Sequence, residues 1–401
     1  MAINRWMTAV SVAAVTAVAF AGPALAQDLK IGALMPMTGD LSAYGEADLS
    51  GIQLAAEEIN AAGGNVEVIV ADTQTNPQAG VDAAQKLVNV EGVHGIVGAL
   101  SSGVTIPVAT SVTSREGVVQ ISGASTSPTI TTLKDNDFLF RTVPSDAFQG
   151  IALAKLVKDN GVNAVSTIYV NNAYGQGLAD AFASAFEEAG GTVAESIPFE
   201  QGQASYRGEL QRAKSGDAEA LLLVAYPENG TVILKQSLEG GYFDKFIFTD
   251  GMKAPEVIEQ IGADYMNGSY GTVPASPESA GLKAFQEAYK AKHGDLPPLP
   301  YIDTAYDATM LIALAAVKAG SNDRTAIRDA LRDVASAPGE VVGPGEYAKA
   351  VELLKAGTDI NYEGAAGSQD FDENGDVPGT IGQWSFQDGK IVDGDMIDTS
   401  K

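Results

Sequence analysis

The stretch GIVGAL (95–100), SSGVTIPVATSVTSREG (101–117), VVQIS (118–122) and GASTSP (123–128) decides how this chain is read. Its first run is apolar, short and flanked by glycine, the pattern of a strand buried on both faces of a parallel sheet. Small hydroxyl and glycine residues, Ser101, Ser102, Gly103 and Thr105, crowd its carboxyl end. A helix is predicted behind them, capped by Ser102 or nearer Thr105, with Pro107 in its first turn. VVQIS gives the next strand, and Ala124, Ser125 and Thr126 follow in a tight turn closed by Pro128. In an open α/β sheet, ligands sit outside the carboxyl ends of the strands. Two neighbouring strand ends here offer hydroxyls and free backbone N–H groups, and a helix N-terminus favours negative charge. No lysine or arginine lies between His94 and Ser114. The stretch therefore predicts a small-carboxylate site built from neutral dipoles.

Toward the N-terminus, Arg5 precedes an almost unbroken apolar run from Met7 to Ala21, and Ala24-Leu25-Ala26 has the small-residue spacing of a cleavage site. Residues 1–26 are thus expected to be a removed secretory signal. No other stretch approaches the ~18 apolar residues of a membrane span. The chain has no cysteine, which excludes disulfides and a lipid-bearing cysteine at the cleavage site. The expected location is a bacterial periplasm, without a lipid anchor. Residues 27–401 are long enough for two domains of ordinary size. Lysine and arginine number 25 against 51 aspartates and glutamates, a net charge of −26. Nucleic acid and anionic lipid both demand clustered basic charge, so neither is an expected partner. The acidic residues are scattered along helices and read as solvated surface.

Taken in order, strand and helix patterns alternate. IGALM leads to a helix over 48–62, and EVIVAD to one over 77–89, before the organising stretch. From Phe138 the pattern starts again: AVSTIYV with a helix at 176–189, TVAESIPF with 206–214, ALLLVAY with 228–238 and KFIFTD with 255–261. Two rounds of β-α units predict an α/β protein with two doubly wound parallel sheets. YGTVPAS and mainly helical sequence over 278–356 follow. In the tail, GTIGQWSF and KIVDGDMI flank Gln387-Asp388-Gly389, a hairpin signal.

The chain resembles the periplasmic substrate-binding proteins of branched-chain amino-acid ABC importers, the Leu/Ile/Val-binding type. The residues that carry this are IGALMPMTGDLSAYGEADLSGIQLAAEEIN, IVGALSSGVTIPVA, ISGASTSP, FRTVPSD and YVNNAYGQGLADAF, in that order and spacing. The resemblance implies a type I periplasmic binding fold, two lobes joined by a three-crossover hinge. One lobe would comprise 27–142 and about 273–366, the other 143–272 and about 367–401. It implies that Ser102 bonds a ligand carboxylate, and that Ala124 and Thr126 supply backbone groups and a hydroxyl to carboxylate and ammonium. Tyr174 and Tyr226 would line the site from the second lobe, and Tyr44 from the first, with Tyr301 a further candidate. Asp250 falls where an acidic partner for the ammonium is placed. That position is commonly Glu in the Leu/Ile/Val type, so Asp leaves the ligand open. The implied function is capture of a small amino acid, aliphatic or branched-chain, by a monomer that delivers it to a membrane ABC permease. An amide, an aromatic acid or γ-aminobutyrate on the same scaffold is the alternative.

Other chemistry is weakly represented. Gly175-Gln176-Gly177 follows a strand and opens a helix as a dinucleotide fingerprint would, but Asp180 stands where the third glycine belongs and would repel a pyrophosphate. Gly343-Pro344-Gly345 follows only two valines and is weaker still. A secreted nucleotide-dependent enzyme is thus a remote reading. Asp370 to Gly375 matches the start of a calcium loop, yet Ile381 sits where the bidentate glutamate belongs, so an acidic turn is expected. His94 and His293 are far apart, and with no cysteine they do not suggest zinc. No nucleophile–base motif is present. Neither an enzyme, a cofactor nor a metal is expected.

Overall fold

The computed structural model describes residues 28–399, so the expected signal segment lies outside the described residues. The first sheet comprises β1 (Leu29–Met35), β2 (Val66–Asp72), β3 (Gly95–Gly98), β4 (Val119–Ser122) and β5 (Leu139–Arg141). Their order is β2-β1-β3-β4-β5, all parallel. β6 (Ala164–Val170), β7 (Thr192–Phe199), β8 (Ala220–Val224), β9 (Phe246–Phe248) and β10 (Tyr270–Ala275) repeat that permutation as β7-β6-β8-β9-β10 in a second parallel sheet. The glycine-flanked β3 and the run ALLLV of β8 are buried throughout, as strands covered on both faces must be.

The region expected to be helical supplies helices Ala280–His293, Ile302–Ala319, Arg324–Ala335 and Tyr347–Lys355. It is interrupted by β11 (Glu340–Val342), which pairs with β12 (Ile360–Gly364), itself joined by β13 (Gly367–Ser368). Helix 302–319 is apolar nearly all round and packs against helix Ser42–Ala61. The tail forms the expected hairpin, β14 (Thr380–Gln387) and β15 (Lys390–Met396), which adds antiparallel to β10.

Three segments carry the chain between the sheets: Thr142–Ser145, Ser276–Ser279 and Gln369–Gly379. The family resemblance implies second and third crossings near 273 and 367; we propose lobe boundaries at the observed strand ends. The first and third crossings are tied together by Arg141. It is wholly buried, and its Nε and Nη2 donate to the two oxygens of Asp376 at 2.7 Å each. Its Nη1 reaches the carbonyl of Ser127 at 3.0 Å, fixing the back of the Ala124–Pro128 turn.

Two local expectations are corrected. The organising helix is capped by Ser101, whose carbonyl accepts from Val104 and Thr105 N–H at 2.9 Å. Pro107 is then the sixth helical residue, and a wider π turn, Ala109–Thr113, follows it. The first helix begins at Ser42 rather than Asp48. A Cβ on Gly45 would stand 2.3 Å from the Pro36 carbonyl, so the glycine in this first turn permits a close approach of helix and loop. No described helix is long and apolar enough to cross a membrane.

Candidate ligand-binding cleft

In a sheet of order 2-1-3-4-5, the loops after the first and third strands diverge and leave a crevice at their carboxyl ends. Both sheets of this chain turn that crevice toward one cleft. From the first sheet, the segment after β1 supplies Leu41 and Tyr44, that after β3 Leu100, Ser101 and Ser102, and that after β4 Ala124. From the second, the segment after β6 supplies Tyr174, that after β8 Tyr226, and that after β9 Asp250 and Gly251. Tyr301 enters from the start of helix 302–319 with φ +79°, a left-handed conformation rare for a bulky residue. Strain of this kind persists where the surroundings over-determine it, commonly at functional sites.

Asp250 is the centre of this arrangement. Its Oδ1 accepts from the Tyr174 hydroxyl at 2.9 Å and Gln149 Nε2 at 2.8 Å, and its Oδ2 from the Tyr301 hydroxyl at 2.6 Å. Tyr44 donates from the other lobe to the carbonyls of Asp250 and Gly251, at 3.2 and 3.1 Å. Burial pushes the Asp250 carboxyl up, while the three donors pull it back down. The phenols of Tyr44, Tyr174 and Tyr301 are pushed well up, first by burial and then by the Asp250 charge. They are therefore neutral donors. Tyr226 stacks on Tyr174 with centroids 5.6 Å apart, and its hydroxyl meets Ser101 Oγ at 2.8 Å across the cleft.

The opposite wall carries no charge. Ser102 Oγ accepts from Ser127 N–H at 3.2 Å, which leaves its proton free for a ligand oxygen. The N–H groups of Ser102 and Gly103 precede the first helical bond and have no intrahelical partner. The space between the walls is about 20 Å³, little more than one water.

Seven residues singled out from the sequence thus share one cavity: Tyr44, Ser102, Ala124, Tyr174, Tyr226, Asp250 and Tyr301. Thr126 does not line it. Its side chain is wholly buried, and its hydroxyl donates to Asp146 Oδ2 at 2.8 Å. Sequence reasoning misses Asp146, Gln149, Leu41, Leu100 and Gly251, and it names Ser101 in the hydroxyl cluster without assigning it a contact. Burial, and then the neighbouring Asp250 charge, push the Asp146 carboxyl well up; Thr126 and Arg141 oppose this. Both Asp146 and Gln149 stand in the first turn of helix Asp146–Asp159, just beyond FRTVPS, so the crossing itself was the available signal.

The remaining motifs serve packing. Gly175 and Gly177 open helix Ala173–Glu188, where Asn172 already accepts the N–H groups of Tyr174 and Gly175 at 3.0 Å. A Cβ on Gly175 would stand 2.0 Å from the Val170 carbonyl, and one on Gly177 2.7 Å from Pro128 of the other lobe. In the acidic turn, Asp372 Oδ1 accepts from the N–H groups of Asn374 and Asp376, and Asp376 serves Arg141. His94 Nδ1 accepts from Lys30 N–H at 2.9 Å, and His293 packs on the Tyr289 ring.

The sequence profile of the periplasmic binding protein family matches residues 28–350. The chain is 31% identical over 328 residues to the leucine-, isoleucine-, valine-, threonine- and alanine-binding protein of Pseudomonas aeruginosa, covering 80% of this chain and 86% of that one. It is also 31% identical to the Leu/Ile/Val-binding protein BraC3 of Rhizobium johnstonii, over 84% of this chain and 92% of the relative. Among solved structures, leucine-binding protein LivK of Thermotoga maritima superposes with a TM-score of 0.79 at 28% identity, covering 92% of this chain and 99% of that one. LivJ of Streptococcus pneumoniae, solved with isoleucine, gives 0.75 at 26% identity, covering 92% of this chain and the whole of that one. The chain belongs to the periplasmic binding protein family, in its branched-chain amino-acid transporter branch, and has the type I fold.

Proposed function

We propose that this protein is a non-enzymatic periplasmic receptor that captures a small α-amino acid between its lobes and presents it to a membrane ABC permease. One observation carries the reading: a buried, triply hydrogen-bonded carboxylate, Asp250, faces a wall of uncharged hydroxyls and backbone N–H groups. A zwitterion matches both sides at once. Its carboxylate meets Ser102 and the start of helix 102–108, and its ammonium meets Asp250. A plain acid would leave Asp250 without a cation in a dry site, which is costly. Leu41, Leu100 and the tyrosine rings offer an apolar surround for an aliphatic side chain. The relatives named for leucine, isoleucine, valine, threonine and alanine support that class. Binding energy realised only when both walls touch the ligand drives closure.

The test is a thermal-shift panel of L-amino acids, short amides, γ-aminobutyrate and aromatic acids, followed by calorimetry. Ligand at about 100 times Kd adds ~2.7 kcal/mol of stability. The expected outcome is a shift with one or more aliphatic amino acids. A shift with benzoate or an amide alone would replace this reading with another ligand on the same scaffold.

A further inference from the structure

We propose that Asp40, Asn229 and Gln201 form a latch across the mouth of the cleft, which sets how long the closed form lasts without touching the ligand. This rests on the reading of the cleft as a closing binding site.

Asp40 lies in the first lobe, in the loop between β1 and helix 42–61, and does not line the ligand cavity. Its Oδ2 accepts from two donors of the second lobe, Asn229 Nδ2 at 2.7 Å and Gln201 Nε2 at 2.5 Å. Asn229 is the third residue of helix Pro227–Gly240 and is 3% exposed. Its Oδ1 accepts from the N–H of Tyr226 at 3.2 Å, so both ends of the amide are engaged. One end holds the backbone of a ring that walls the cavity, and the other holds the opposite lobe. Asn229 is thus a positioning residue for Tyr226, and Asp40 ties that residue to the first lobe.

Parting the lobes separates Asp40 from both donors, so these bonds belong to the closed state. Hydrogen bonds to an ionised acceptor are stronger than neutral ones. Asp40 is partly exposed, which puts its effect at the low end for charged bonds, about tenfold in an equilibrium constant. The carboxylate takes no donor from the ligand cavity, so the same factor applies to every ligand.

The experiment compares wild type with Asp40→Ala, Asp40→Asn and Gln201→Ala. Amide hydrogen exchange is followed first without ligand. Asp40→Ala is expected to speed exchange in the Tyr226–Asn229 and Gly39–Tyr44 segments and leave the sheet cores unchanged. Asp40→Asn keeps an acceptor and Gln201→Ala removes one donor, so both should show smaller effects of the same sign. Stopped-flow dissociation and calorimetry then use L-leucine and L-alanine. The expected result is a Kd about tenfold higher for either, carried by the off-rate and equal for the two probes. Unchanged exchange at both segments overturns the latch even if neither amino acid binds wild type, a result that separately sinks the receptor reading. A loss that differs between the two probes also overturns it, because the effect then depends on ligand contact.

Discussion

The two walls of the cleft come from the same strand permutation, yet they do opposite electrostatic work. The first-lobe wall holds Ser101, Ser102, Ala124 and two leucines, with no formal charge. The second-lobe wall puts a carboxylate behind two stacked tyrosines. Neutral dipoles suit an anion that must also leave, because they stabilise it without a deep ion pair. On the proposed reading, a single buried charge opposite them supplies selectivity, since leaving it unmatched is expensive. A repeated framework thus carries two unlike surfaces through a few loop residues.

The largest break in that contrast is Asp250→Ala. Losing one member of a buried ion pair typically costs ~3–5 kcal/mol. Amino-acid binding is therefore expected to fall by more than about a hundredfold. Calorimetry showing wild-type affinity in the folded variant would falsify the assignment of the ammonium to Asp250. Asp250→Glu should retain some affinity with an altered ligand preference.

Ser102→Ala tests the neutral wall. A hydrogen bond to a charged group is worth ~1.5–3 kcal/mol, so Kd should rise roughly tenfold to a hundredfold. The melting temperature without ligand should change little, because within the protein the Ser102 hydroxyl accepts a single long bond, from Ser127 N–H at 3.2 Å. Equal affinity in variant and wild type removes Ser102 from the site.

Gly177→Ala sharpens the comparison by acting on neither wall. Its Cβ would press on Pro128 of the other lobe only when the lobes meet. Overpacking of about 1–3 kcal/mol implies a Kd about tenfold higher. Alanine is the better helix former by up to ~1 kcal/mol, so the unliganded chain should not be destabilised once the lobes part. Small-angle scattering with ligand should show a less compact particle than wild type. Identical scattering and identical affinity would mean that this seam does not limit closure.

The smallest effect is on pH. Burial raises the Asp250 carboxyl above the ordinary value of ~3.9. A bound ammonium favours its ionised form, so binding below the raised pKa must release a proton. Affinity for an amino acid should strengthen as pH rises through that pKa, and level off above it. Calorimetry in buffers of different ionisation enthalpy reads the released proton directly. Asp250→Asn should abolish that release, and a wild-type profile that weakens with rising pH contradicts the sign.

The parts legible in the sequence were those with local causes. The apolar, glycine-flanked β3 and the hydroxyls beyond it follow from strand period and turn chemistry alone. The hairpin around Gln387–Gly389 does too. Helix 42–61 begins earlier than its pattern predicts, and Gly45 in its first turn lies against the Pro36 carbonyl, a tertiary contact that local sequence does not encode. Thr126 carries the right chemistry for a ligand contact, but its hydroxyl is claimed by Asp146, twenty residues along the chain. Gln149 reaches Asp250 across 101 residues, and no local pattern encodes such a pairing. Ser101 stands in the hydroxyl cluster, yet which of two adjacent serines occupies the N-cap depends on one residue of register, and both line the cavity.

The three chain crossings have a consequence for how much each wall must do. They tether the two surfaces permanently, so the second wall approaches a ligand already held by the first without any loss of translational freedom. Tethered groups meet at effective concentrations on the order of millimolar. Each wall can therefore be a poor binder alone, and a ligand can leave by failing at only one of them. For the proposed receptor, tight capture and rapid handover are then compatible in one molecule, because release can begin at one wall with a bend of the tether.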